Sequence, residues 1–62
     1  MKIHTGWRIK GGPINGWIIA GPAPSLRGVA RYYVSGPNKE RGTVKRDDLL
    51  RAYADKEIAF TL

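Results

Sequence analysis

Cysteine is absent from the chain, and histidine occurs once, at position 4. Without a thiol there can be no disulfide and no thiolate metal site. His4, near the start of a strand-like N-terminus, reads as a solvated side chain rather than a ligand, so neither a metal nor a cofactor is expected. No apolar run approaches the roughly 20 residues that a membrane-spanning helix requires, and there is no charged-then-apolar signal segment. The expectation is a cytoplasmic protein with no membrane partner.

Acidic residues are also scarce: five, against eleven Lys and Arg, for a net charge of +6. They are unevenly spread. Residues 1–46 carry nine basic residues and only Glu40, a net of +8, whereas residues 47–62 carry four acids and two bases, a net of −2. A basic body with a weakly acidic end is the electrostatic footprint of a protein that meets a polyanion.

The 62 residues allow one domain, spanning 1–62. A chain of this size buries only about 60% of the surface its unfolded form exposes. With metals and disulfides excluded, the missing stability must come from closing a sheet or from a second copy of the chain. Homo-oligomerisation is therefore an expectation.

Glycine and proline are plentiful, twelve together, and fall between short runs rich in β-branched and aromatic residues. That is a strand pattern. The first run, Met1 to Lys10, alternates so that Trp7 and Ile9 share one face and Arg8 and Lys10 the other. Gly12-Pro13 ends it. The second run is Gly16 to Ala20, ended by Gly21-Pro22. In the third, Gly28 to Ser35, Ala30, Tyr32 and Val34 oppose Val29, Arg31 and Tyr33. The fourth, Gly42 to Arg46, points Val44 one way and Thr43 and Lys45 the other. Asp47 and Asp48 then precede Leu49, Leu50 and Tyr53, which predicts a single helical turn or a short helix capped and charge-compensated by the aspartates. Glu57 to Leu62 alternates again, either as a closing strand or as an apolar tail for a partner chain. The fold class read from this is all-β: a small barrel of four to five short antiparallel strands with one short helical turn.

Several stretches carry a resemblance. GWRIKGGPINGWIIAG, GVARYYVSG and RGTVKRDDLLRAY, in that order, resemble small bacterial Src-homology-3-like barrels. IKGGPINGW is similar to the KOW type, which implies binding to RNA or partner proteins. RIKGGP, ARYYV and VKRDDLL, between residues 6 and 53, resemble a set of small bacterial barrel proteins. The architecture is also similar to the plasmid-type (type II) dihydrofolate reductase, a homotetramer built around a Val-Gln-Ile-Tyr strand. Here Lys45 and Arg46 stand in place of the glutamine and isoleucine and Asp47 in place of the tyrosine, so the likeness implies the architecture and not the reaction. MKIHT and VSGPNKERGTVKRDDL resemble the carbon-storage regulator, an RNA-binding β protein, although GPAPS falls where that family has a regular strand.

Catalytic groups are few. The hydroxyls of Thr5, Ser25, Ser35, Thr43 and Thr61 have only His4 as a candidate base, and Thr5 and His4 project to opposite faces of a strand. Asp47 and Asp48 suit a helix start better than a general acid–base pair. Gly-Gly-Pro is not a phosphate loop, because no Lys-Ser/Thr follows it and Pro13 removes an N–H donor. No enzyme activity is expected. Binding is better supported, since a basic groove interleaved with aromatic faces grips nucleic acid. Arg8, Lys10, Arg31, Tyr33, Lys39, Arg41, Lys45 and Arg46 are the candidate contacts. Lys39 and Arg41 flank the tip of a hairpin loop.

Overall fold

A computed structural model describes residues 2–62 and contains five strands and one helix. They are β1 (Arg8–Lys10), β2 (Ile18–Leu26), β3 (Val29–Ser35), β4 (Arg41–Lys45), α1 (Arg46–Ala54) and β5 (Ala59–Thr61). The strands form one antiparallel sheet in the order β4-β3-β2-β1-β5. The first four make a meander, and the C-terminal strand returns beside the first. β4 and β5 are the two edges. No pairing joins them among the described residues, so the sheet is open rather than the closed barrel expected, and α1 bridges the two edges in sequence.

The inner face follows the period-two reading. Ile9, Ile19 and Val34 are buried on β1, β2 and β3, joined by Ile3, Leu49 of α1 and Ile58 ahead of β5. Trp7, Trp17, Tyr32, Val44 and Phe60 pack around this cluster, which makes both tryptophans part of the core margin. Trp17 presses on the β3–β4 hairpin so closely that a Cβ at Gly36 would lie 2.9 Å from its Cε2. A bond from the Gly36 N–H to the Glu40 carbonyl (2.8 Å) closes that hairpin, as the third Gly-Pro pair predicts.

Three expectations need correction. β1 is only three residues long; the chain turns at Thr5-Gly6, and Met1 lies outside the described residues. Gly21-Pro22 does not end β2, which runs on to Leu26 through a bulge between Ile19 and Gly21. From Gly21 onward β2 pairs with β3 alone, because β1 meets it only at Arg8↔Ile18. Pro22 and Pro24, two residues apart, direct their missing N–H positions to the same side, and a free edge tolerates that.

α1 is a nine-residue helix, the longer of the two forms expected. No glycine or proline lies between Arg46 and Glu57, and the intervening Leu, Arg and Ala are strong helix formers. The third correction concerns its cap. The N-cap is Lys45, with no side-chain bond; Asp47 and Asp48 sit inside the first turn, where they act through charge alone.

The closing stretch is a strand of the same sheet. Arg8↔Thr61, Ile9↔Phe60 and Lys10↔Ala59 are its pairs with β1. Ile58 is buried, and of the alternating apolar set only Leu62 is fully exposed. Gly11 makes this closure possible. Its φ is +90°, and a Cβ there would lie 2.7 Å from the Glu57 carbonyl oxygen. The β1–β2 connection thus presses directly on the backbone that leads into β5.

The β2–β3 hairpin turns on Arg27 (φ 52°) and Gly28 (φ 78°), between the paired residues Leu26 and Val29. Two positive φ values define a type I′ turn, which favours Asn-Gly. Arg27→Asn should therefore raise stability by about 0.5–1 kcal/mol, because asparagine enters the left-handed region more cheaply than arginine. Urea unfolding with an unchanged slope and a higher midpoint would register the gain.

Candidate nucleic-acid interface

Because side chains alternate along a strand, the residues immediately before and after each buried one point outward. Hydrogen-bond register lines these outward residues up across the sheet. Thr61, Arg8, Ile18, Ser35 and Arg41 form one row through all five strands. Lys10 stands beside Ala59 at one end, Tyr33 beside Thr43, and Arg31 beside Lys45. The sheet's outer face thus collects Arg8, Lys10, Arg31, Arg41 and Lys45 around Tyr33, whose side chain is 47% exposed.

No strand contains an acidic residue. Glu40 lies in the β3–β4 turn, where its carboxylate accepts a bond from the Asn38 N–H (2.8 Å). Asp47 and Asp48 are in the first turn of α1, and Asp55 and Glu57 follow its end. The five outward cations are therefore uncompensated within the sheet, and no ion pair engages them among the described residues. Arg31 donates to the Thr43 hydroxyl, which fixes its guanidinium across the β3–β4 pair.

Tyr33, Ser35, Arg41, Thr43, Ala20, Val34 and Gly42 line a depression on this face that is open to solvent. Its lining includes one aromatic ring and one guanidinium-bearing residue. Such a site can accept a flat ring beside an anion, but it holds no set of groups suited to acid–base or nucleophilic chemistry.

Six of the eight residues singled out in the sequence are thus on one surface. Lys39 and Arg46 are not. Lys39 is exposed at the hairpin tip with φ 65°. It extends the basic surface beyond the sheet and does not line the depression. Arg46 begins α1, is half-buried and is engaged by other groups. The end of β4 at Lys45 takes it out of the strand alternation that the sequence suggested.

Charge is placed on this surface against the interests of stability. Arg31 and Lys45 are direct cross-strand neighbours of like sign, a destabilising arrangement. Lys45 is also the helix N-cap, where the macrodipole disfavours a cation. Among the described residues, the non-glycine positions with positive φ are Arg27, Lys39 and Lys56, all basic. Each holds a conformation costing an L-residue roughly 1–2 kcal/mol.

Tyr53 and Lys56 were not among the candidates, yet both adjoin this face near Lys10. Tyr53 is 45% exposed on α1, and its ring stacks on Phe60 (5.6 Å between centroids, 26° between planes). Only the return of β5 beside β1 brings them there, a long-range pairing without a local signal. Among the described residues, no helix is long and apolar enough to cross a membrane. No family model, no curated protein and no solved structure matches this chain.

Proposed function

We propose that the chain is a small Src-homology-3-like binding module that contacts nucleic acid through the outer face of its sheet. The observation that carries this reading is the segregation of charge. Five cations surround Tyr33 on a face whose strands contain no carboxylate, and two of them, Arg31 and Lys45, oppose each other across a strand pair. A polyanion removes that repulsion on binding and releases its own counterions as it does so. The depression beside Tyr33 adds an aromatic surface on which a base can stack. The strand order, with the last strand beside the first and a helix between the fourth and fifth, supports the barrel-like kinship.

The binding is electrostatic in this reading and must be steeply salt-dependent. If the five sheet cations each neutralise one phosphate, log K falls with log salt at a slope of about −3.5 to −4.5. A fourfold rise in salt then weakens binding by on the order of 100-fold. Fluorescence anisotropy with single- and double-stranded DNA and RNA, each at two salt concentrations, measures this. Absence of binding to all four ligands at low salt overturns the proposal.

A further inference from the structure

Beyond the sheet face, the chain carries a second aromatic feature. His4, Trp7, Phe60 and Tyr53 form a continuous series of rings, with centroid separations of 5.0, 5.5 and 5.6 Å. Its inner members belong to the core margin; its outer end does not. Tyr53 offers its ring to solvent in the last turns of α1, at the rim of a depression that it shares with Lys10, Lys56, Glu57 and Ala59. Lys10 and Ala59 are outward residues of β1 and β5, so this depression continues directly from the basic face.

Two physical points distinguish this corner from ordinary surface. The first is rigidity. Phe60 backs the Tyr53 ring, and Trp7 backs Phe60, so a planar ligand laid on Tyr53 would order little that is not ordered already. The second is Lys56. Helix α1 ends in a Schellman motif: Lys56 N–H to Tyr53 carbonyl (3.1 Å) and Glu57 N–H to Ala52 carbonyl (2.9 Å), with Lys56 at φ 60° in the left-handed position. Glycine is the usual residue there because it carries no Cβ penalty. A lysine at this point costs stability and places a cation at the depression's edge, across from Lys10. Glu57 is the one carboxylate on the rim.

We propose that Tyr53 is a stacking platform for one unpaired base, flanked by Lys10 and Lys56 as phosphate contacts, and that the module therefore prefers single-stranded nucleic acid. The strand runs along the outer face past Arg8 and Lys10 and turns over the β5 edge to lay a base on Tyr53. A duplex has no free base face to place there. The inference rests on the nucleic-acid reading of the sheet face and adds a strand-state preference that the face alone does not supply.

The test uses the full chain with a labelled oligouridylate, a labelled oligothymidylate and labelled RNA and DNA duplexes of matched length, at low salt. The wild type is expected to bind the single strands more tightly. Tyr53→Ala should weaken single-strand binding by about 5–150-fold, the effect of losing one base stack, and leave duplex binding unchanged. Tyr53→Phe should retain wild-type affinity, because stacking needs the ring and not the hydroxyl. Lys56→Gly should raise the melting temperature while weakening single-strand binding, a combination that damage to the fold cannot produce. If the wild type binds but Tyr53→Ala weakens single strands and duplexes equally, or neither, the stacking platform is overturned and the sheet-face reading stands. If the wild type binds none of the four ligands, both fall.

Discussion

Ile9→Ala is expected to remove a large share of the domain's stability. Ile9 is fully buried at the middle of β1, the strand that joins β5 to the rest of the sheet. Its N–H bonds to the Trp17 carbonyl (2.8 Å), its carbonyl accepts from the Gly16 N–H (2.7 Å), and its register partner on β5 is Phe60. Truncating a buried isoleucine to alanine costs about 2–5 kcal/mol, and a domain of this length has only about 3–9 kcal/mol in total. The chain has few large buried side chains to spare: Ile9 and Ile19 are the two that are wholly enclosed. Urea denaturation followed by far-ultraviolet circular dichroism should show the midpoint falling by at least about a fifth. A loss under about 0.5 kcal/mol, the range of ordinary surface changes, would contradict this description of the core. Leu26, at 61% exposure, provides the comparison, and its replacement by alanine should fall within that surface range.

The outer face was legible in the sequence wherever alternation was undisturbed. Arg8 and Lys10 flank Ile9, and Arg31 and Tyr33 alternate with Tyr32 and Val34. In β4, Thr43 and Lys45 alternate with Val44, and in each case the polar set points outward and the apolar set inward. A period of two needs only neighbouring residues to be read, and these segments supplied them. The uneven distribution of acids was legible for the same reason, since charge is visible without any folding.

What escaped reading has a long-range origin. Proline at 22 and 24 signals an end to a strand locally, yet β2 continues because β1 stops short and leaves an edge that needs no N–H donors there. The hairpin at Arg27-Gly28 lacks the usual asparagine, so its type I′ geometry has only a weak local signal. The Schellman end of the helix falls on lysine instead of glycine, so it lacks the usual local signal. Tyr53 and Lys56 join the basic face only once β5 has closed against β1. Gly11 marks the same event: its glycine requirement comes from the Glu57 carbonyl, 46 positions away in sequence.

The central claim is that the cations of the outer face serve binding at the expense of the fold. Lys45 tests it most sharply because two unfavourable terms meet there. It faces Arg31 across the β3–β4 ladder, and it caps a helix N-terminus with the wrong sign. Lys45→Glu places a carboxylate opposite Arg31, a favourable cross-strand pair of about 0.2–1 kcal/mol. It also places a negative charge beside the helix N-terminus, where the macrodipole contributes about 0.3–1 kcal/mol. The same change removes a cation from the face proposed to bind nucleic acid and would add repulsion against phosphate. The decisive measurement is a paired one on Lys45→Glu: urea unfolding, and single-strand affinity across a salt series. The prediction is an unfolding midpoint equal to or above that of the wild type, with affinity at least about tenfold weaker and a salt slope shallower by about 1. A variant with wild-type affinity and salt slope would contradict the account, because Lys45 would then serve neither the fold nor the ligand.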